Sequence, residues 1–491
     1  MARPRLALAI VALASPGALA DPSAVVVEPR ATPEVPQERV PAPPQEPTAA
    51  DVADAPLPGD ESGRTDDVPS DDTAAREVGR GLLFFPKVLT EIVLSPVRGG
   101  IWAYDRYHLS DRYYRWFFND ARTIGLYPTG TIESGFGLSG ITLGARFVDR
   151  DTFGEREHLA AEAAIGLDYQ FKQLYALNFR SGDRLGQIVH AELDAGYEVR
   201  SLDPFYGIGN GEKMQPPPAG LINPLVTDTA VKTRFGQHRA RARITGDIQL
   251  LSDLHLRPAA EVLDRTFGDP AQGPATADVY DPMGLVGWDR GVRAGYGELE
   301  LRWDSRRAIT VYEKGIYSAG TLAGLFGGYE GQLSSGAGAP FYRYGGDLQQ
   351  FIRVGLGPRV IMARVHGEAI TGTLDEVPFT EIPAIGGPLY LRGYDVDRFR
   401  DRIAAFGTLQ YTWDLASTLG AAAFVDAGRV WRDYSALALT DMRVGFGGSL
   451  VVSYGGGFVS ELSLASSIDG GFFASLSFNP VYDIDERVRR R

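Results

Sequence analysis

Apolar and polar residues alternate along most of the chain from about residue 126 onward, in segments of about ten residues. An alternation with a period of two predicts β-strands that have one apolar and one polar face. A soluble β-sandwich shows the same alternation, with its apolar faces turned inward. The number of segments and the charges on their polar faces instead favour an all-β fold that is a transmembrane antiparallel β-barrel. In such a barrel the apolar faces are turned towards lipid and the polar faces line the lumen.

The charged faces of two predicted strands are especially clear. Their side chains are Arg239, Arg241 and Arg243 in residues 237–249, and Glu298, Glu300 and Arg302 in residues 297–304. We interpret all six as lumen charges, because the residues between them are mostly apolar. A row of arginines most often pairs with acids on neighbouring strands, here Glu261, although it could also attract an anionic substrate.

The alternation predicts about sixteen strands, an even number as bacterial outer-membrane barrels have. Their predicted starts lie near residues 128, 140, 158, 171, 187, 235, 252, 293, 315, 342, 358, 403, 419, 442, 458 and 471. If the chain enters from the periplasm, most long connections fall on the outward side of the barrel and the short turns on the periplasmic side. That asymmetry is typical of outer-membrane barrels.

The composition of the chain predicts how it is divided into regions. Residues 1–20 resemble a secretory signal peptide. Eleven prolines, no aromatic residue and 14 acids against 5 arginines predict a disordered acidic periplasmic tail over residues 21–80. A helical period predicts short amphipathic helices over residues 81–120. The barrel is then predicted over residues 121–480, followed by a C-terminal tail over residues 481–491.

The composition also excludes several kinds of function. The chain has no cysteine, which rules out disulfides, thiolate metal sites and cysteine nucleophiles. Its formal net charge of -13 argues against a nucleic-acid partner. The histidines show no metal-binding spacing and no nucleophile elbow occurs, so we predict no metal, no cofactor and no enzyme. The part after the signal peptide lacks an apolar run long enough for a membrane helix, so it can cross a membrane only as a closed barrel. Composition alone leaves a soluble periplasmic protein open.

Two motifs in the second half of the chain give the most specific signal. The first comprises Gly387, Leu391, Arg392, Gly393 and Tyr394, and the second comprises Phe424, Asp426 and Gly428. Together they resemble the (V/I/L)RG(F/Y) loop and FxDxG strand of the BamA-type outer-membrane insertase superfamily, the bacterial surface antigen barrels. The resemblance implies that the loop between strands 11 and 12 folds back into the lumen, where Arg392 meets Asp426. A guanidinium in a partly dry lumen needs a fixed anion, and arginine offers a bidentate fork that lysine lacks.

The resemblance covers about residues 126–480 and includes two departures. Residues 203–210 look like the FYGIGN segment of these barrels. Ala308 stands where a turn motif of the family usually has proline, and Gln410 stands where a glutamate often joins the arginine. The region before the barrel contains nothing like the periplasmic POTRA repeats that most insertases have.

The resemblance implies a function on other macromolecules of the bacterial outer membrane. The expected activity is insertion, assembly or translocation of proteins, with outer-membrane lipids and client outer-membrane or exported proteins as partners. The expected mechanism is a lateral seam between the first and last strands, about residues 128–137 and 471–478, without covalent chemistry. The alternative is a passive pore or anion channel in which the lumen arginine row selects the ion.

The last predicted strand resembles the C-terminal signal that barrel-assembly machinery reads. Phe472, Ala474, Leu476 and Phe478 alternate with Phe473, Ser475 and Ser477 there. Most such proteins end on the aromatic residue, whereas residues 481–491 continue beyond Phe478 here. We interpret this extension as a periplasmic tail that can be removed.

Overall fold

The computed structural model of the protein describes residues 106, 109–132, 141–166, 172–213, 220–225, 229–309, 317–333, 336–355, 357–416, 419–454, 457–477 and 483–491. The predicted signal peptide, the predicted acidic tail and most of the predicted helical region lie outside these residues. The described residues comprise the predicted barrel region, with gaps, and short segments before and after it.

Among the residues that the structure describes, sixteen long strands form the body of the fold. The first eight are β1 (Ile124–Ile132), β2 (Ile141–Asp149), β3 (His158–Gly166), β4 (Lys172–Arg180), β5 (Val189–Phe205), β6 (Thr233–Leu251), β7 (Leu254–Gly268) and β8 (Val292–Asp304). The second eight are β9 (Ser318–Gln332), β10 (Phe341–Arg353), β11 (Arg359–Ile370), β12 (Ile403–Ala416), β13 (Leu419–Trp431), β14 (Arg443–Tyr454), β15 (Gly457–Ser467) and β16 (Phe472–Ser477). None begins more than four residues from its predicted start.

Each long strand pairs antiparallel with its neighbours in the chain, so the order from β1 to β16 is a simple meander. The sheet contains one further strand of two residues, Arg307–Ala308, which pairs with the start of β9. This up-and-down topology confirms the predicted all-β fold of an outer-membrane barrel. Among the described residues, no ladder joins β1 to β16.

The two faces of the sheet differ in polarity, as the sequence alternation predicts. On β8, Leu299 and Leu301 are 53% and 41% exposed on the outer face. Glu298 and Glu300, which alternate with them, are 6% and 3% exposed on the inner face. Exposed apolar side chains would promote aggregation in water. On the outer face of a transmembrane barrel such side chains are stable, because lipid surrounds that face.

Short elements precede, separate and follow the long strands. In the described part of the chain the helices are α1 (Leu109–Phe117), α2 (Thr276–Val279) and α3 (Glu486–Arg490), and 3-10 turns span Pro282–Gly284, Phe379–Glu381 and Tyr434–Ala436. Two-residue strands pair Glu212–Lys213 with Thr229–Ala230, and Ala384–Ile385 with Phe399–Arg400. None of the helices in the described part of the chain is long and apolar enough to cross a membrane.

Residues 483–491 differ from the expectation of a periplasmic tail. They fold back against the inner face of the sheet and contain α3, with Arg487 and Arg491 only 9% and 7% exposed. The guanidinium of Arg487 bonds Glu298 and Glu300 on β8. The segment therefore lies inside the lumen. Its arginines bond carboxylates on strands that come much earlier in the chain.

Candidate functional site in the barrel lumen

The connection between β11 and β12 folds back into the lumen. A ladder of two residue pairs between Ala384–Ile385 and Phe399–Arg400 closes its neck. Beyond the neck the chain turns at Gly386 and Gly387, whose φ angles of 125° and 97° favour glycine. We call residues 384–400 the inserted loop.

Arg392, at the tip of the inserted loop, bonds Asp426 on β13. The Nε and the backbone N–H of Arg392 donate to Asp426 Oδ2 at 2.8 and 2.9 Å, and Nη2 donates to Oδ1 at 2.8 Å. The two side chains are 1% and 0% exposed. This is a buried bidentate ion pair, the geometry in which the removal of one partner leaves an uncompensated charge.

Three more residues surround the guanidinium of Arg392. Its Nη1 donates to Gln410 Oε1 on β12 at 2.7 Å. Its Cζ lies 3.4 Å from the centroid of the Phe424 ring on β13, which is a cation–π contact. Glu461 Oε1 on β15 lies 3.9 Å from Nη1. Gln410 thus occupies the place of the family's usual glutamate, and Glu461 supplies a second carboxylate from another strand.

Other motif residues pack the inserted loop against the wall. Leu391 is fully buried in a cluster that includes Ile385. A Cβ at Gly428 on β13 would lie 2.9 Å from Ile385 Cδ1, so glycine lets the neck approach the strand. Tyr394 donates its hydroxyl to Asp469 Oδ2 at 3.0 Å. Burial first, and the Asp469 charge second, raise the pKa of Tyr394 to about 12, so this hydroxyl stays a donor at neutral pH.

Two glycines allow the backbone of the inserted loop to lie directly on the backbone of the wall. Gly393 has a φ of 88°, and a Cβ there would lie 2.4 Å from the carbonyl oxygen of Ser466 on β15. A Cβ at Gly445 on β14 would lie 1.7 Å from the carbonyl oxygen of Arg392. Neither position has room for any side chain, so the contact between loop and wall depends on both glycines.

Sequence reasoning missed Gly445 and Glu461 as parts of this site. Neither lies in the two motifs, and both come from strands that follow them. The available signal was their position at inward-facing places of β14 and β15, which the alternation of those strands defines.

A second buried arginine holds the other side of the inserted loop. Arg364 on β11 donates from Nε and Nη2 to Asp347 Oδ2 on β10, at 2.9 and 2.6 Å. Its Cζ lies 5.6 and 5.1 Å from the ring centroids of Tyr390 and Phe406. The tip of the inserted loop is therefore fixed from β10 and β11 as well as from β12 to β15.

The six charged residues predicted to face the lumen lie on the inner face of the sheet. They are Arg239, Arg241 and Arg243 on β6, and Glu298, Glu300 and Arg302 on β8. Arg243 donates to Glu261 at 3.3 Å and to Glu298 at 3.0 Å, and Arg302 donates to Glu300 at 2.7 Å. Arg239 and Arg243 thus pair with neighbouring acids, including Glu261, the partner that the sequence suggested, whereas Arg241 donates to the carbonyl oxygen of Val488 at 2.7 Å.

The last strand is described only in part. Phe472 begins β16 and is 72% exposed on the outer face, and Leu476 lies four residues later on the same strand. Phe478 lies outside the described residues. The role of these residues as an assembly signal stays a prediction.

The described residues contain no group of three or more His, Cys, Asp or Glu side chains placed to hold a metal ion. The polar groups of the site instead bond one another. What the arrangement can do is mechanical: it fixes a loop inside a barrel and joins several strands into one rigid wall.

Comparison with known proteins identifies the family of this region. Residues 316–466, which include the inserted loop, match the Omp85 superfamily domain. No curated protein sequence matches the chain. The match confirms the resemblance to BamA-type barrels that the two motifs suggested.

The solved structures that match the chain include three proteins of low sequence identity. BamA from Haemophilus ducreyi, solved without POTRA domains 1-3, is 13% identical and has a TM-score of 0.48, over 72% of this chain and 68% of that chain. CdiB from Escherichia coli is 10% identical with a TM-score of 0.46, over 72% and 61%. CdiB from Acinetobacter baumannii is 8% identical with a TM-score of 0.42, over 72% and 59%.

Proposed function

We propose that this barrel, whose residues 316–466 match the Omp85 superfamily domain, inserts, assembles or translocates other polypeptides at the bacterial outer membrane. The proposed route is a lateral seam between β1 and β16. When two edge strands separate, their backbone groups become available to pair with a client strand.

The anchoring of Arg392 is the observation that carries this proposal. The guanidinium contacts β12, β13 and β15, and the carbonyl oxygen of Arg392 lies against Gly445 on β14. These contacts brace the wall up to β15, the neighbour of β16. With β12 to β15 held in place by the inserted loop, β16 can separate from β1 without distorting the strands that precede it.

The proposed activity uses shape and backbone pairing alone. Its partners are outer-membrane lipids, which contact the apolar outer face, and client outer-membrane or exported polypeptides at the seam. We propose no cofactor and no covalent step, since the lumen polar groups are engaged with one another. A passive pore would need neither a client nor a seam, so the two functions predict different crosslinks.

We expect photo-crosslinkers at Leu126 on β1 and Phe472 on β16 to capture newly exported polypeptides in cells. Both side chains lie on the outer face and are 59% and 72% exposed. Matched controls at Leu325 on β9 and Val365 on β11 are equally exposed, at 66% and 62%, but lie on strands inside the sheet. The controls should crosslink lipid only, as detected by mass spectrometry of the adducts.

Equal capture of polypeptides at the edge and control positions would mean that contact with clients is not specific to the seam. Lipid adducts alone at all four positions would reject the proposal in favour of a passive pore.

A further inference from the structure

The segment from Asp483 to Arg491 lies in the lumen between the inner face of β6–β9 and the inserted loop. We call it the arginine segment. It contains three acids followed by four arginines interrupted by one valine. Each end contacts a different region of the wall. The acidic end lies against arginines of the wall, and the arginines that follow lie against its acids.

The acidic end of the arginine segment contacts two arginines of the wall. Asp485 Oδ1 accepts from Arg302 Nη2 at 2.6 Å and from Arg257 Nη1 at 3.0 Å, and Oδ2 accepts from Arg302 Nη1 at 3.1 Å. Burial alone raises the pKa of Asp485, but Arg302 and Arg257 outweigh burial and hold it well below its usual range. Asp485 is therefore an anion that two fixed cations recognise.

The middle of the arginine segment contacts two acids of β8. Arg487 donates from Nη1 to Glu298 Oε2 at 2.5 Å and from Nη2 to Glu300 Oε2 at 2.8 Å. Its Cζ lies 3.8 Å from the ring centroid of Phe326 on β9. The site thus presents two carboxylates and an aromatic face to a planar cation. This combination favours arginine over lysine.

The far end of the arginine segment is held in the same way. Arg491 bonds Glu330 at 2.7 Å and approaches Glu261 to 3.2 Å, and its Cζ lies 3.5 Å from the Tyr296 ring centroid. The carbonyl oxygen of Arg491 accepts from Arg239 and Arg265, each at 2.9 Å. The wall therefore recognises the backbone of the segment as well as its side chains.

The inserted loop forms the other side of the site. Arg490 bonds Asp397 of the loop, and its Cζ lies 4.3 Å from the Tyr390 ring centroid. Glu381, just before the loop, faces Arg491 at 3.7 Å. Burial alone raises the pKa of Glu381, but Arg265, Arg491 and Arg343 lower it to about 2. The arginine segment thus bridges the loop and the wall of β6–β9.

We propose that the inner face of β6–β9 is a binding site for a peptide segment with acids first and arginines after, and that the arginine segment occupies this site and closes the lumen. Removing the segment opens a path between the inserted loop and the wall. A free peptide of the same charge order takes its place. This role does not depend on which ion or polypeptide would otherwise pass through the lumen. It therefore goes beyond the proposed seam between β1 and β16 and can be tested separately.

The physical chemistry of buried ion pairs makes such an occupant replaceable. The attraction between buried charges largely offsets the cost of removing them from water, so the net stabilisation is small. Losing one partner is costly, since the other charge then stays buried and unpaired. The site therefore discriminates strongly between a matching segment and a mismatched one.

The test is the conductance of the purified chain in planar lipid bilayers, with and without residues 483–491. We expect the deletion variant to conduct more than the full chain. Arg487→Gln should raise conductance in part, because Glu298 and Glu300 each lose one of their arginine partners while Arg243 and Arg302 remain. Arg489→Gln is the matched control: Arg489 bonds Asp483 and Glu486 of its own segment, and it should conduct like the full chain.

A synthetic peptide with the sequence of residues 483–491 should then block the deletion variant. The control is the same nine residues in reverse order, which has equal charge and composition but the wrong order, and it should not block. A peptide with the Arg487→Gln change should block about 30-fold less tightly, as is usual for loss of one partner of a buried charge pair.

Two outcomes would overturn the proposal. One is unchanged conductance of the deletion and Arg487→Gln variants when both still run as folded barrels on unheated gels. The other is equal block by the forward and reversed peptides. If the deletion variant does not fold, the conductance of Arg487→Gln is compared with that of Arg489→Gln. Equal conductance of these two variants would then reject the proposal. Crosslinking at Leu126 and Phe472 is measured separately, so failure of the seam can be distinguished from failure of this site.

Discussion

Replacing Arg392 with alanine is expected to destabilise the barrel by about 3–5 kcal/mol, because Asp426 then stays buried without its cation. Asp426 is fully buried and accepts three hydrogen bonds from Arg392, two of them from the side chain. Asp426→Ala should have a similar effect, since it leaves the guanidinium in the same dry place. Each change should also loosen the inserted loop and raise ion leakage through the lumen.

The double variant Arg392→Ala with Asp426→Ala should be little worse than either single variant, because it removes both members of the bidentate pair, although Glu461 still loses the nearby guanidinium. The temperature at which folded barrels lose their fast gel mobility measures stability, and bilayer conductance measures the position of the loop. Arg392→Lys should restore only part of the stability, since it keeps the charge but loses the bidentate fork.

A second ion pair of the same connection provides the control. Arg402 bonds Asp433 at 3.0 Å, but the side chains are 21% and 55% exposed. Alanine at either position should cost only about 0–1 kcal/mol, as exposed pairs do. Strictly additive effects of the Arg392 and Asp426 changes would mean that the residues do not act as a pair. The inserted loop would then not depend on this contact.

The sequence predicted the strands well because their signal is local. Each strand alternates between lipid-facing and lumen-facing residues, so a window of about ten residues contains the information. The strand β13 is an example: Val425 is exposed on the outer face, and Phe424 and Asp426 are buried on the inner face. The connection between β11 and β12 was also recognisable, because the motif around Arg392 matches a known pattern.

The partners of Arg392 beyond the motif could not be predicted in the same way. The sequence places Gln410 where a glutamate usually joins the arginine, and the structure adds a carboxylate that the sequence did not indicate, Glu461 on β15. Their meeting depends on how far neighbouring strands are staggered. A one-residue slip of β15 would turn Glu461 outward, so its position follows from the register of the whole sheet.

The arginine segment was the largest difference from the sequence prediction. A short, highly charged stretch such as residues 483–491 usually remains in water, and nothing in its own pattern indicates burial. Its partners lie on β6–β9 and in the inserted loop, roughly 90 to 250 residues upstream. The available signal was the set of inward-facing acids, such as Glu330, that no arginine on the same strand could neutralise.

Replacing Gly445 with alanine should displace the inserted loop as a whole. The new Cβ would lie 1.7 Å from the carbonyl oxygen of Arg392, a backbone atom that cannot move by a change of rotamer. The loop must therefore shift away from β14 and take Arg392 from its place against Asp426. Overpacking of this kind costs about 1–3 kcal/mol or more, and the ion pair is weakened in addition.

Gly448→Ala on the same strand is the matched control, because its Cβ would meet only the Ala422 carbonyl oxygen at 3.4 Å, close to an ordinary contact. We expect Gly445→Ala to lower the temperature of barrel unfolding and raise conductance, and Gly448→Ala to do neither. The clash with the backbone oxygen of residue 392 remains when Arg392 is alanine, but the ion pair is then already lost, so Gly445→Ala should cost less in that variant than in the unaltered protein. If the two effects add fully, or if both glycine variants behave alike, the loop does not rest on β14 at Gly445.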